Sequence, residues 1–399
     1  MTQPRFLLSI CLGLSAAILA GCGTIARDDY DAVRAAPRGP AALADVQIRA
    51  ADGPRLQALA DQIGVQLSGE AGRSSILALS GGGANGAYGA GLLVGWSDSG
   101  TRPQFDIVTG VSTGALAAPF AFLGSSWDDE LMRAYIGGDA QHLIGWGSLA
   151  TMVAPSLFSS SALALLINDN VTPELLRQIA IEHAKGRRLL VATTNLDTQE
   201  TVIWDMGAVA TKGDDEALKL FRKILLASAS IPGVFPPVLI PGMSPEGKIV
   251  DEMHVDGGVA TPFLGAPEGL LLWTNPRPRP DRGAFYVVVN GQVSPTYAMT
   301  RGSLRGIITR TYDTMSKASL RTTLAANAAF ASRNRMDFLI AAIPSDVSAS
   351  SMDFKSDAMR ALFDLGRRDA AAGKVWTPIK PGLLPLPTPP DKPEPAPAN

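Results

Sequence analysis

The stretch FDIVTGVSTGALAAPFAF, Phe105 to Phe122, constrains the fold of this chain more than any other part of it. An apolar run ends in a turn carrying Ser112 between Gly110 and Gly114, and a helix of small residues follows. A chain that passes from buried strand to helix so abruptly must lay that helix close against a sheet, and small residues on either side of the serine permit the approach. The first turn of such a helix aims N–H groups and a partial positive charge at the serine oxygen. The five-residue pattern is short enough to recur by chance. The strand before it and the helix after it make it an expected nucleophile elbow, with Ser112 at the tip.

Other segments repeat the alternation. ILALS (Ile76 to Ser80), RRLLVATTNLD (Arg187 to Asp197), ETVIWDM and AFYVVVNG read as strands; AYGAGLLVGW and TPELLRQIAIEHAKG read as helices, the latter with Thr172 and Pro173 suited to its cap and first turn. Strands alternating with helices predict an α/β fold, a three-layer sandwich with a central, mainly parallel sheet. From Thr300 to about Trp376 the pattern reads as helical. MVAPSLFSSSALALLI, Met152 to Ile167, is apolar with little charge, and reads as core packing or as a lid over a lipid site.

The first residues look like an export signal. Arg5 precedes the apolar run Phe6 to Ala20, which is too short for a comfortable membrane span. It closes on LAGC, which resembles the lipobox of bacterial lipoproteins and by that resemblance makes Cys22 the lipidated first residue of the mature chain. Gly23 after it favours the outer membrane by the same resemblance. The expected organisation is a signal peptide over 1–21, a tether and linker over 22–72, one catalytic domain over 73–377, and a Pro-rich disordered tail over 378–399. Both cysteines, Cys11 and Cys22, fall at this end, so the domain has no disulfide framework or thiolate metal site. The formal net charge of −2 lacks the basic excess of a nucleic-acid binder.

LSGGGANGAYGAG, Leu79 to Gly91, matches G-x-G-x-x-G through Gly81, Gly83 and Gly86. A dinucleotide site would also need an acidic residue at the end of the second strand, where Thr109 and Gly110 stand. A run of backbone N–H groups without side-chain cover suits an oxyanion hole at Gly81, Gly82 and Gly83; a tight strand-to-helix turn would use the same glycines. HVDGGVATP places Asp256 at a strand end before two glycines, which by itself reads as a turn.

Taken in order, the glycine loop, the G-x-S-x-G elbow and the later D-G-G resemble the patatin-like phospholipases, and most of all their bacterial lipoprotein members. LLASASIPGVFPPV, Leu225 to Val238, resembles the stretch that precedes the family's aspartate. The resemblance implies a Ser–Asp dyad with Ser112 as nucleophile and Asp256 as the proton acceptor. It further implies hydrolysis of a fatty acyl ester, a phospholipid or other acyl-ester lipid as substrate, and no metal or cofactor. One departure is Asn85, which stands where the family usually has Arg or Lys; asparagine donates hydrogen bonds without charge. The chain has three histidines, none beyond His254, so a triad with a late histidine fits poorly. His254 shares a strand face with Asp256 and reads as a structural residue that could reach the site. The competing expectation is an inactive envelope lipoprotein that keeps the fold for binding or scaffolding.

Overall fold

The computed structural model describes residues 25, 27–28, 46–50, 52–67, 75–138, 160–244, 248–274, 283–296 and 299–379. Among them ten strands form one sheet: β1 (Gln47–Arg49), β2 (Ser75–Leu79), β3 (Ile107–Val111), β4 (Arg188–Asn195), β5 (Glu200–Asp205), β6 (Val238–Met243), β7 (Ile249–Asp256), β8 (Gly283–Val289), β9 (Met336–Ala342) and β10 (Thr377–Pro378). The order across the sheet is β1-β5-β4-β3-β2-β8-β9-β10. The five central strands, β4, β3, β2, β8 and β9, are parallel. The strands added outside them, β5, β1 and β10, are antiparallel. The hairpin β6–β7 joins through β7, which pairs antiparallel with the last residues of β4.

Helices cover both faces, as expected for a parallel centre whose strands are buried throughout. They are α1 (Gly53–Leu67), α2 (Gly86–Asp98), α3 (Thr113–Leu123), α4 (Asp128–Ile136), α5 (Ser160–Asn170), α6 (Pro173–Ala184), α7 (Met206–Ala210), α8 (Asp215–Ser228), α9 (Leu304–Arg333) and α10 (Ser356–Ala371). Alternate strand residues face opposite layers. Leu77, Leu79, Val108 and Leu189 meet the layer that holds α2, α3, α6, α8 and α10. Ile76, Ala78, Ile107 and Leu190 meet the layer of α1 and α9. Thr172 caps α6 by accepting the Leu175 N–H, with Pro173 in the first turn. In α2 every residue from Gly86 to Trp96 is buried. Its glycines bring α10 to backbone contact: a Cβ on Gly91 would lie 1.9 Å from the Phe363 carbonyl oxygen, and one on Gly95 2.0 Å from that of Arg367.

Three expectations need correction. The segment 22–72 is not all tether, since β1 pairs with β5 and α1 buries Leu56, Leu59 and Ala60 under the sheet. The C-terminal region is not helical throughout: MDFLIAA forms β9 between α9 and α10, a short apolar run lost between two long helices. Pro378 pairs in β10 and Ile379 is buried, so the domain extends past residue 377. Of the apolar segment 152–167, residues 152–159 lie outside the described residues; α5 begins at Ser160 and buries Leu163 and Ile167 in the core. The expected signal peptide over 1–21, Cys22 and residues 380–399 also lie outside them.

Candidate active site

Ser112 follows directly on β3 and caps α3 with φ 57° and ψ −128°. A non-glycine residue in this region is strained and persists where its surroundings over-determine it. Here the Ser112 carbonyl accepts the Ala115 and Leu116 N–H groups at 2.9 and 3.3 Å. Its own N–H donates to Ser228 Oγ at 3.1 Å, and Ser228 Oγ donates in turn to the Ala192 carbonyl at 2.7 Å. The flanking glycines answer to space: a Cβ on Gly114 would sit 2.4 Å from the Leu79 carbonyl oxygen, and one on Gly110 2.6 Å from Ala115 Cα.

Asp256 arrives from the other direction. β3 ends with Val111 opposite Ala192, while β4 continues, and β7 takes up its vacated edge with Asp256 opposite Thr193. Asp256 N–H donates to the Ser230 carbonyl at 2.9 Å, so one short segment, Ser228 to Ser230, holds the backbones of both Ser112 and Asp256. Asp256 Oδ1 accepts the Gly258 N–H at 2.7 Å, which caps the turn of Gly257–Val259. Its Oδ2 is buried and has no hydrogen-bond partner of good geometry. Burial pushes the carboxyl up to about 7, against the stabilising pull of the nearby Ser112 hydroxyl and of the Gly258 N–H. Ser112 and Asp256 are 4% and 2% exposed, so the pair meets in a nearly dry place.

The glycine loop lies against the serine: a Cβ on Gly81 would be 3.2 Å from Ser112 Cβ. The Gly81 N–H donates to the Pro262 carbonyl at 3.1 Å and is therefore not available to a ligand, contrary to the grouping of all three glycines. The Gly82 and Gly83 N–H groups make no hydrogen bond among the described residues. Asn290, at the end of β8, fixes this loop. Its Nδ2 donates to the Ser80 carbonyl at 2.8 Å, its Oδ1 accepts the Gly89 N–H at 3.1 Å, and its N–H donates to Ser80 Oγ at 2.8 Å. Gly82 packs so tightly on Asn290 that a Cβ would lie 2.1 Å from that residue's carbonyl oxygen. Asn85 is buried beside the loop, with its Oδ1 unpaired.

His254 does not join Ser112. Its Nδ1 is 2.9 Å from Thr193 Oγ1, which also accepts the Trp204 Nε1–H at 2.9 Å. The Glu252 carboxylate can only accept, so its Oε2, 3.4 Å away, faces the Nε2–H, and Nδ1 of the neutral ring accepts the Thr193 hydroxyl proton. Burial holds the imidazole below its ordinary pKa although Glu252 opposes this. Glu252 pairs on its other side with the buried Arg49 of β1. His183 sits near Asp205, Nδ1 to Oδ1 3.6 Å, at the end of β5, and His142 lies outside the described residues.

Sequence reasoning missed Asn290, Ser228 and Ser230. The Asn–Gly after the β8 run and the serines of LLASASIPG were visible, but neither announces a bond to a loop far away in the chain.

In sequence, no curated protein matches this chain. Among solved structures it is similar to VipD from Legionella pneumophila, at 11% identity and a TM-score of 0.35, over 77% of this chain and 68% of that one. The family model of the patatin-like phospholipases matches residues 77–267. That span contains the glycine loop, the Ser112 elbow and Asp256, and residues 77–267 belong to the patatin-like phospholipase family.

Proposed function

We propose that this protein is a serine-dependent lipid acyl hydrolase that cleaves fatty acyl esters, with Ser112 as nucleophile, Asp256 as general base and acid, and the Gly82 and Gly83 N–H groups as the oxyanion hole. The observation that carries the reading is the unpartnered Asp256 Oδ2, buried beside the Ser112 hydroxyl, on a carboxyl raised to about 7. A base works best with a pKa near the working pH, and free-enzyme catalytic hydrogen bonds are often loose.

In this mechanism Ser112 Oγ attacks the ester carbonyl carbon as its proton passes to Asp256 Oδ2. The carbonyl oxygen gains the negative charge and receives the Gly82 and Gly83 N–H groups. Collapse breaks the ester C–O bond, and Asp256 returns the proton to the departing alcohol oxygen. Water then gives a proton to Asp256 as its oxygen attacks the acyl-enzyme. The second collapse frees the fatty acid and restores the Ser112 hydroxyl. The dry, preorganised site makes each of these donors count for more than in water.

The same reading places the protein in a bacterial envelope, anchored by lipid on Cys22 to the outer membrane and facing the periplasm. The support is the LAGC sequence after an apolar run. The test of function is a panel of phospholipids, lysophospholipids and neutral acyl esters incubated with wild type and Ser112→Ala. Release of fatty acid by the wild type alone is expected. No release from any lipid, with Ser112 inert, would favour a scaffold.

A further inference from the structure

The long helix α9 has two sides. The inward one is apolar in its C-terminal half, where Leu320, Leu324, Ala328 and Ala331 are buried under the sheet. In its N-terminal half the same side carries Arg310, Asp313 and Lys317, which pair among themselves, and Arg310 and Lys317 also reach Thr296 in the loop after β8. The outward side is apolar and exposed in that half. Leu304, Ile307, Ile308, Tyr312 and Met315 are 76%, 49%, 58%, 47% and 66% exposed. At 3.6 residues per turn they fall within an arc of about 140° turned away from the core. The same arc continues as the exposed Thr311, Ala318, Ser319, Thr322 and Ala325, and its charged residue, Arg333, stands at the far end of the helix, bonded to the Leu271 carbonyl. The outward side of an ordinary surface helix is polar or charged.

Location gives this face its meaning. Arg310 and Lys317 bond to Thr296 in the loop that follows Asn290, the residue that fixes the glycine loop, so this half of α9 stands at the end of the sheet where the glycine loop and Ser112 meet. Val259, in the turn that Asp256 caps, is also exposed, at 43%. The large aliphatic side chains of this face are confined to the half of α9 at this end, and from Ala318 to Ala325 it carries small neutral ones. A protein partner is normally oriented and held in register by charged groups, and from Leu304 to Ala325 this face offers none, its polar groups being the hydroxyls of Thr311, Tyr312, Ser319 and Thr322. A fluid bilayer requires only apolar area on a helix lying in its plane.

We propose that the outward face of α9, from Leu304 to Met315, docks on the surface of a phospholipid bilayer and sets the mouth above Ser112 and Asp256 against it. The proposal deepens the hydrolase reading and rests on it for the identity of the bilayer as substrate reservoir. Lipid on Cys22 would hold the protein near the membrane; α9 would orient it.

The test uses the full chain with Ser112→Ala, Cys11→Ser and Cys22→Ser, and a single reporter cysteine at Ile308→Cys or Lys317→Cys carrying an environment-sensitive fluorophore. With vesicles of phosphatidylethanolamine and phosphatidylglycerol, a blue shift is expected at position 308 and none at position 317. No shift at 308, or an equal shift at both, overturns the proposal. So does a shift at 308 in buffer that grows with protein concentration, which would mark a second copy on this face. A shift at 308 independent of both vesicles and concentration would mark another segment of this chain there, and overturns it too. A second arm keeps Ser112 and compares Ile307→Asp with Ile308→Asp on vesicles and on a soluble short-chain ester. Loss of about tenfold or more on vesicles, with the soluble ester unaffected, is expected. Equal activity on vesicles overturns the docking face. A wild type inert on both substrates overturns the hydrolase reading, and the fluorescence arm then decides docking independently.

Discussion

Asp256 stands opposite Thr193 of β4, the register position that Ser112 would occupy if β3 ran one residue further. The parallel strand stops, the antiparallel strand takes its place on the same edge, and Ser112 and the Asp256 carboxylate meet at the junction. The two backbones are then tied to one turn, Ser112 through the Ser228 hydroxyl and Asp256 through the Ser230 carbonyl.

The raised pKa of Asp256 sets a pH dependence of stability. The folded form holds its proton up to about 7, whereas an unfolded aspartate releases it near 3.8. The stability this group contributes is full below the unfolded value and is lost as pH rises from there through about 7. Asp256→Asn removes that loss, so its Tm should exceed the wild type's at pH 8 and approach it at pH 4. The difference should be at most about 4 kcal/mol. Thermal melts across pH 4–8 decide it, and a variant no more stable at pH 8 would contradict the buried, raised carboxyl.

Asn290 should act on catalysis through the glycine loop. Asn290→Ala leaves the Ser80 carbonyl and the Gly89 N–H without their side-chain partner, at about 1–3 kcal/mol for each buried group. On the proposal that the loop donors act in the transition state, kcat should fall more than KM rises. Gly82→Ala is a poorer probe, since its Cβ would collide with Asn290 and disturb the fold as well. Kinetics and melting of Asn290→Ala together check this.

The Arg49–Glu252 pair lies at the far end of the polar chain that ends on Thr193. Both residues are buried. Arg49→Met strands a carboxylate in the interior and should cost about 3–5 kcal/mol. Removing both partners, as Arg49→Met with Glu252→Leu, should cost clearly less, because no unpaired charge remains. Denaturant unfolding of the wild type and these two variants distinguishes this from simple loss of packing.

Anchoring is checked by fractionation. Cys22→Ala should move the protein from the membrane fraction to the soluble one. Retention in the detergent phase would contradict lipid attachment at that residue.

How far the sequence reveals this depends on locality. The strand, turn and helix around Ser112 and the glycine run are continuous stretches whose backbone demands appear as Gly, Ser and Ala at fixed spacing. The parallel centre likewise shows as unbroken apolar runs. The Asp–Gly–Gly after His254 shows only a turn; its partnership with Ser112 is a matter of sheet register, which no local pattern carries. Gly81 illustrates the same limit, since its N–H is taken by Pro262, some 180 residues on. The edge strands β1 and β10 are too short to show any periodicity, and β9 is hidden between two long helices.

The most direct measurement of the central claim is the rate at which a fluorophosphonate labels Ser112, followed by mass spectrometry against pH in wild type, Asp256→Asn and His254→Gln. The account requires labelling at Ser112 that rises as pH passes through about 7, is nearly abolished by Asp256→Asn, and keeps its inflection in His254→Gln. Labelling that persists in Asp256→Asn and disappears in His254→Gln would contradict it.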